Sequence, residues 1–215
     1  MRIASLKIAA LVVFVAAALA VVPVASANSI TFNLSSNNLG ISGSIGTVTI
    51  ADAGSNQVNV TISMNAGFSV KLNGGDIAFN GPSGLTLSSV SNLTASMTAG
   101  GSFSGLDFQH LKTSQNISEF GTFAFDFTNC QGQGGGVVSA DKVTFTLTAS
   151  GLSASQFTGV ALHFCTASGS NCGPNTGFAS SSPEVVPEPG SLGLMGTGLV
   201  GIGSLIRRRI LSKTA

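Results

Sequence analysis

The middle of the chain alternates between apolar and polar residues, which is the pattern of β-strands with one buried face. The clearest case is Phe123-Ala124-Phe125-Asp126-Phe127. Gly, Asn, Asp and Pro separate such segments at roughly ten-residue intervals, as turns do. No amphipathic helical window of useful length lies between residues 28 and 183. Further predicted strands are 30–34, 45–50, 58–62, 68–72, 77–79, 85–87, 93–97, 143–147 and 160–164.

Short strands at this spacing predict an all-β domain over residues 28–182, an antiparallel β-sandwich of the jelly-roll or immunoglobulin-like kind. A right-handed β-solenoid is the alternative, but solenoids need a fixed repeat period and this segment has none. The chain has 14 Phe and neither Trp nor Tyr, so Phe supplies the aromatic part of the core. Segments 131–139 and 171–186 are expected to be a flexible loop and a linker.

An apolar run near the start of the chain has the flanks of a signal peptide. Basic residues precede the apolar run at 8–20, and Ala25 and Ala27 place small side chains where a signal peptidase reads them. This arrangement predicts a signal peptide over residues 1–27, cleaved after Ala27. A retained N-terminal membrane helix is the alternative.

A second apolar run, near the C-terminus, has a basic flank. Residues 190–206 are seventeen uncharged residues, about 26 Å of helix at 1.5 Å per residue. That length is at the short end of what crosses a bilayer. Arg207, Arg208 and Arg209 follow, and positive clusters beside a span stay on the cytoplasmic side. The pattern predicts a single transmembrane helix over 190–206 and a basic cytoplasmic tail over 207–215. The alternative, a buried helix of the domain, would carry three unpaired arginines into the core.

A short proline-rich segment joins the domain to the predicted span. Prolines at 183, 187 and 189 disfavour regular helix and sheet. We therefore expect residues 183–189 to form an extended linker beside the membrane.

These C-terminal features occur in a specific order. Pro187-Glu188-Pro189, then a Gly-rich apolar span, then Arg207-Arg208-Arg209 resemble the PEP-CTERM sorting signal of Gram-negative bacteria. The resemblance implies that a membrane-embedded exosortase, a cysteine protease-like enzyme, recognises the Pro187–Pro189 region, removes the tail and passes the secreted part to the cell surface. It also implies an association with exopolysaccharide production and biofilm. The resemblance covers about residues 185–211 and leaves the middle domain unassigned.

Removal of both ends changes the charge of the protein. The exported part keeps eight acidic residues and three lysines, a net charge of −5. Nucleic acid and anionic lipid require a basic surface, so neither is expected as a partner of the mature domain. The expected partners are signal peptidase and exosortase as processing enzymes, the inner membrane transiently, and a possible polysaccharide.

The three cysteines all lie in the exported part, where disulfides form. Cys165 and Cys172 flank a turn-prone segment and are the preferred disulfide pair. Cys130 with Cys165 is the next possibility, since both end predicted strands. His163 lies two residues before Cys165 on the same strand face, so a nucleophilic cysteine is an alternative. A disulfide beside an incidental histidine is favoured over catalysis.

The remaining candidate ligands do not form a recognisable site. His110 and Asp107 lie in a loop-like stretch, and Asp52 lies in a turn-like segment that is a weak candidate for a calcium loop. Neither group has the ligand spacing of a zinc site or an EF-hand. No G-x-S-x-G sequence and no P-loop occur. We therefore expect no metal, no cofactor and no catalytic residue.

Three functions are compatible with these features. The leading hypothesis is a non-enzymatic structural or adhesive module, exported across the inner membrane, anchored transiently with its domain in the periplasm, and then transferred to the outer surface or extracellular matrix. A polysaccharide-binding module is the alternative, although the Trp and Tyr that usually stack on sugars are absent. A secreted glycan hydrolase is the third and is disfavoured by the missing motifs.

Overall fold

The described part of the chain is built almost wholly from β-strands. The computed structural model describes residues 28–97, 102–132, 139–166, 172, 175–181 and 183–184, which belong to one unit spanning Ala27–Pro187. In chain order its strands are β1 Ser29–Asn33, β2 Ser36–Asn37, β3 Gly46–Gly54, β4 Gln57–Met64, β5 Ser69–Lys71, β6 Asp76–Asn80, β7 Val90–Ser96, β8 Ser102–Phe103, β9 Leu106–Asn116, β10 Thr122–Gly132, β11 Ser139–Ala140, β12 Lys142–Thr148, β13 Gly159–Cys165, β14 Thr176–Ser181 and β15 Pro183–Glu184. Single 3₁₀ turns occur at Leu87–Ser89, Ser118–Phe120 and Ala154–Gln156.

These strands form two antiparallel sheets. Sheet A has the order β15-β1-β3-β4-β12-β7-β8. Sheet B has the order β11-β5-β13-β6-β10-β9, with β14 on the other edge of β13 and β2 beside β14. The strand pairs of both sheets are antiparallel. The all-β, antiparallel architecture predicted from the alternating pattern is therefore confirmed.

The two sheets share one core made from their inward-facing residues. The ring of Phe145 in sheet A lies 6.3 Å from that of Phe79 and 5.6 Å from that of Phe108, both in sheet B. Each of these ring pairs is edge-to-face, a geometry that aromatic pairs favour over a face-to-face sandwich. Phe79 also contacts Phe127 and Phe157. Phenylalanine thus joins the sheets, as its abundance in the sequence predicts.

Sheet B is buried on both faces near its centre. Ala78 on β6 and Ala161 on β13 alternate with core residues, so they point away from the main core, yet both are fully buried. They form a second, smaller apolar cluster with Ile117 and Phe123, against which Phe178 packs. The simple expectation of one buried and one wet face therefore does not hold for this part of sheet B.

Two local expectations were wrong in the middle of the chain. Residues 85–87, expected as a strand, lead into the 3₁₀ turn at Leu87–Ser89, where the Thr86 N–H donates to Ser89 Oγ at 3.0 Å. The stretch around His110, expected as a loop, is the eleven-residue strand β9. β9 is an edge strand with mostly exposed polar side chains, so apolar alternation does not mark it. Its pairing with β10 stabilises it instead.

The end of the domain also differs from expectation. Segment 171–186, expected as a flexible linker, contains β14 and β15. β14 pairs along β13, and β15 pairs with β1 at Thr31–Glu184 and Phe32–Pro183. Pro183 is tolerated because β15 is an edge strand. The sheet therefore continues two residues past the expected boundary at 182, into the predicted linker 183–189.

Candidate functional site

The outer face of sheet A carries an ordered array of hydroxyl side chains. A row of five threonines crosses five adjacent strands in register: Thr31, Thr49, Thr61, Thr144 and Thr94. A flanking row on each side carries Ser, Thr and Asn together with Ala51 and Lys142. We call these three rows, on β1, β3, β4, β12 and β7, the hydroxyl face. Within them, on strands that the structure describes in full, Lys142 is the one charged side chain.

Hydrogen bonds and a bulge shape the hydroxyl face. Thr31 Oγ1 lies 3.2 Å from Thr49 Oγ1, and Thr94 Oγ1 lies 2.7 Å from Thr144 Oγ1. The register between β12 and β7 shifts after Thr144, and Asn92 has φ of 54° beside this shift. Two shallow grooves, of about 230 and 340 Å³, lie here and share Thr144 in their linings. The face therefore combines regular hydroxyls with a local depression.

The outer face of sheet B carries a small cluster of ionisable groups. Asp76 Oδ2 lies 3.6 Å from His163 Nδ1, and the His163 ring stacks on Phe178 with centroids 4.3 Å apart. Asp126 lies opposite Ala78 and Lys112 on the neighbouring strands and is 1% exposed. Asp126 Oδ1 and His163 Nδ1 are buried without a hydrogen-bond partner. Two polar atoms of the cluster are thus unsatisfied, which is costly inside a protein.

Asp126 is the group in this cluster whose ionisation is strongly perturbed. Burial, followed by the negative charge of Asp76, raises the pKa of Asp126 to about 6, while Lys112 acts in the opposite direction. The carboxyl therefore gains or loses a proton near pH 6. Its protonated, neutral form is the one that burial favours.

The stability of the domain should depend on pH through Asp126. Its folded pKa of about 6 is above the ordinary 3.8, so the folded state binds more protons between these values. The contribution of Asp126 to the free energy of unfolding is fully present below about pH 4 and is lost as the pH rises through 6. This loss amounts to about 1–3 kcal/mol. Asp126→Asn cannot ionise and should lack this loss. Urea denaturation at pH 4, 5, 6 and 7 measures it.

The exposed carboxylate of Asp107 supplies the control for this measurement. Asp107→Asn should keep the wild-type decline in stability between pH 4 and pH 7, because Asp107 is exposed on β9. Equal pH slopes for Asp126→Asn and the wild-type protein would contradict the assignment of the decline to Asp126.

The cysteines occupy two different environments. Cys165 and Cys172 form a disulfide, with Cα atoms 5.1 Å apart. This bond closes the connection between β13 and β14, where the Thr166 N–H also donates to the Asn175 carbonyl at 3.1 Å. Cys130 is a buried free thiol, and burial raises its pKa to about 12. The alternative pairing of Cys130 with Cys165 is therefore wrong, and Cys165 offers no free thiol beside His163.

The other candidate ligands have structural surroundings. Asp52 lies on β3, not in a turn, and its Oδ1 accepts a hydrogen bond from the Ala154 N–H at 2.7 Å. It thereby fixes the 3₁₀ turn at Ala154–Gln156. His110 is exposed on β9 opposite Thr128. Over the part of the chain that the structure describes, no three His, Cys, Asp or Glu side chains are grouped as metal ligands would be.

The predicted processing residues lie outside the described residues. These are Ala25 and Ala27 of the signal-peptidase site, Pro187, Glu188 and Pro189 of the sorting motif, and Arg207, Arg208 and Arg209 of the tail. The predicted span at 190–206 also lies outside them. Within residues 28–184, apart from the gaps noted above, no helix has the length and apolar character needed to span a membrane.

Comparison with known proteins gives one match, and it falls on the C-terminal end. A family model described as the PEP-CTERM protein-sorting motif matches residues 185–209. The chain carries a PEP-CTERM sorting motif. The predicted resemblance is thereby confirmed. A PEP-CTERM motif implies an exported protein that is sorted at the membrane and processed by an exosortase in Gram-negative bacteria. No curated protein and no solved structure matches the chain.

The PEP-CTERM motif begins directly after the last strand that the structure describes. β15 ends at Glu184, and the matched residues start at 185. Sequence reasoning located the motif but missed both outer faces of the domain. The threonines were visible as a T-x-T alternation, for example Thr144-Phe145-Thr146, but their alignment across strands depends on register. Asp76, Asp126 and His163 come from three strands far apart in sequence, and nothing local marks them as neighbours.

Proposed function

We propose that this PEP-CTERM protein is an exported cell-surface or extracellular-matrix protein whose β-domain is a non-enzymatic structural or adhesive module associated with exopolysaccharide. The observation that carries the proposal is the sorting motif at 185–209, directly behind a folded all-β unit. In this scheme the domain has a jelly-roll or immunoglobulin-like arrangement. A signal peptide over 1–27 exports it, and a span over 190–206 with Arg207–Arg209 inside anchors it transiently. It then moves from the periplasm to the outer surface or matrix.

The described domain has features that are typical of extracellular proteins. The Cys165–Cys172 disulfide stabilises the β13–β14 connection under oxidising conditions. The mature part has a net charge of −5, which favours solubility and disfavours adsorption to anionic surfaces. The edge strand β9 is lined by polar side chains and carries Lys112, which limits unwanted strand addition.

The geometry also supports a non-enzymatic role. The cysteine nearest a histidine is held in a disulfide, so it cannot act as a nucleophile. Asp76 and Asp126 interact electrostatically, but Asp126 is 1% exposed, so its carboxyl group is not accessible to a glycan.

A polysaccharide-binding module is the second candidate, and the hydroxyl face of sheet A favours it. Its threonine row presents donors and acceptors to solvent without charge. Such a surface suits a neutral, hydroxylated polymer, even though the aromatic platforms of many sugar-binding sites are absent.

Deletion of the gene followed by complementation tests the proposal. We expect the deletion strain to retain less exopolysaccharide and to aggregate less, and antibodies against the mature domain to label intact wild-type cells. Complementation by Asp76→Asn or His163→Gln should restore the wild-type level, because a structural module needs no proton transfer there. Absence of surface labelling would overturn the proposal. If either substituted protein has an unchanged melting temperature but fails completely to restore exopolysaccharide retention, the hydrolase function would be favoured instead.

A further inference from the structure

We propose that the hydroxyl face binds a single chain of a neutral, hydroxyl-rich polysaccharide that runs across the strands of sheet A. This inference rests on the proposed function and makes it specific, since it names the surface and the chemical class of the polymer. The central row, Thr31 to Thr94 across five strands, is the main contact.

The chemistry of the face matches such a polymer. Each threonine hydroxyl is both a donor and an acceptor, as is each hydroxyl of a sugar. Lys142 is the one charged residue in the three described rows, whereas the exported part as a whole carries a net charge of −5. A neutral chain can therefore approach this face without electrostatic repulsion, and within these rows Lys142 is the one charge that it could desolvate. An anionic polymer would be repelled by the rest of the domain.

The spacing of the hydroxyls is regular along the direction of the row. Neighbouring strands lie about 4.7–4.9 Å apart, so the hydroxyls recur at that interval, a length similar to one sugar ring. Threonine is β-branched and has few side-chain rotamers. The hydroxyl contacts between Thr31 and Thr49 and between Thr94 and Thr144 fix these orientations further. Binding therefore costs little side-chain entropy.

The grooves beside β7 give the chain a place to lie. One groove is lined by Asn59, Thr61, Thr144 and Thr146, and the second, on the other side of Thr144, is lined by Thr94 and Lys142 among others. The register shift between β12 and β7 coincides with the first groove, which Asn92 also lines. A polymer following the row would thus enter a recess at Thr144 and contact its walls on both sides.

The shape of the face distinguishes between occupants. Adjacent strands in a sheet rotate by about 20–25° relative to one another, so five strands present a twisted row. A flat crystalline surface meets only part of such a row, whereas a single flexible chain follows it. A second copy of this domain would meet an identically twisted face that carries its own Lys142, and two like charges on one contact disfavour that pairing.

Affinity electrophoresis of the mature protein through gels that contain a soluble neutral polysaccharide tests this inference. The probes are dextran, mannan and a mixed-linkage β-glucan, with alginate as the anionic comparison. We expect saturable retardation by at least one neutral polymer and none by alginate. Thr61→Val with Thr144→Val removes two central hydroxyls but keeps shape and strand propensity, and should weaken binding roughly tenfold. Thr61→Ser with Thr144→Ser keeps the hydroxyls and should bind within about threefold of wild type.

A matched control comes from exposed threonines of sheet B. Thr113→Val with Thr122→Val alters β9 and β10 and should leave the retardation unchanged, because both residues lie off the hydroxyl face. Equal retardation of the Thr61/Thr144 valine variant and the wild-type protein would overturn the inference that the hydroxyl face is the binding surface. The protein would still bind a polysaccharide, at another surface. Retardation by alginate alone would overturn the inference. Absence of retardation by every polymer, with antibodies still labelling intact cells, would also overturn it, and the proposal of an exported structural module would remain. Concentration-dependent dimers abolished by the same valines would assign the face to a second copy instead.

Discussion

Replacement of Phe79 by alanine should lower the free energy of unfolding by about 4 kcal/mol. Phe79 is fully buried on β6 and contacts the rings of Phe127, Phe145 and Phe157. Phe145 belongs to sheet A, so the truncation removes a contact that joins the two sheets. The cavity left behind adds to the lost transfer free energy because the surrounding strands are fixed by their pairing. Urea denaturation of the mature protein, followed by circular dichroism, measures the change.

Two further variants keep this prediction testable. Phe79→Leu retains most of the side-chain volume and should lower the free energy of unfolding by about 1–2 kcal/mol. This variant should therefore remain folded even if Phe79→Ala does not fold. Phe178→Ala removes a ring from the other face of sheet B, where Phe178 is partly buried against His163, and should cost about 1–2 kcal/mol. A cost for Phe178→Ala equal to that of Phe79→Ala would show that the core between the sheets is not the main source of stability.

The alternating pattern predicts much of this fold because it reports directly on burial. Val58, Val60 and Ile62 on β4 are fully buried, and the residues between them are not. The pattern fails where burial does not alternate. β9 has mostly polar residues along an exposed edge, and β13 is buried on nearly every residue. In both strands the pairing partner, not the local sequence, determines the structure.

The disulfide could be predicted from the local sequence, whereas the residues that share an outer face of a sheet could not. Cys165 and Cys172 are seven residues apart, so a turn brings them together and the sequence suffices to suggest the pair. Thr31 and Thr94 are far apart in the chain, and they lie in one row only because three intervening strands pair in a particular register. A one-residue slip in any pair would turn its threonines into the core. Local rules cannot set that register, since it depends on the whole sheet.

The position of β15 bears on how the sorting motif is presented. β15 adds to the edge of sheet A through Thr31–Glu184 and Phe32–Pro183, and the matched motif starts at 185. The folded domain therefore extends up to the motif, with Val185 and Val186 between Glu184 and Pro187. Each proline fixes its own φ and restricts the residue before it, so the Pro187-Glu188-Pro189 sequence disfavours regular helix and sheet. A protease that reads this sequence acts within a few residues of the end of β15 along the chain.

Glu188→Gln should block maturation and make the uncut precursor the predominant form in cells. Glu188 is the one charged residue between Val185 and Ile206, so its carboxylate is the distinctive feature that an exosortase meets in the motif. Glutamine keeps the size of the side chain and removes the charge, which would cost a charge-assisted hydrogen bond in the enzyme complex. Intact mass of the protein recovered from cells separates the precursor from the shortened product.

Glu184→Gln is the matched control for this substitution, because it makes the same chemical change four residues earlier, on β15. Its product should be shortened as in the wild-type protein, since residue 184 lies before the matched motif. If Glu188→Gln is shortened normally, the carboxylate is not what the protease recognises, and specificity lies in the two prolines or in the span. If both variants stay uncut, the sheet edge at β15 is itself part of the recognised structure, and the motif alone does not direct processing.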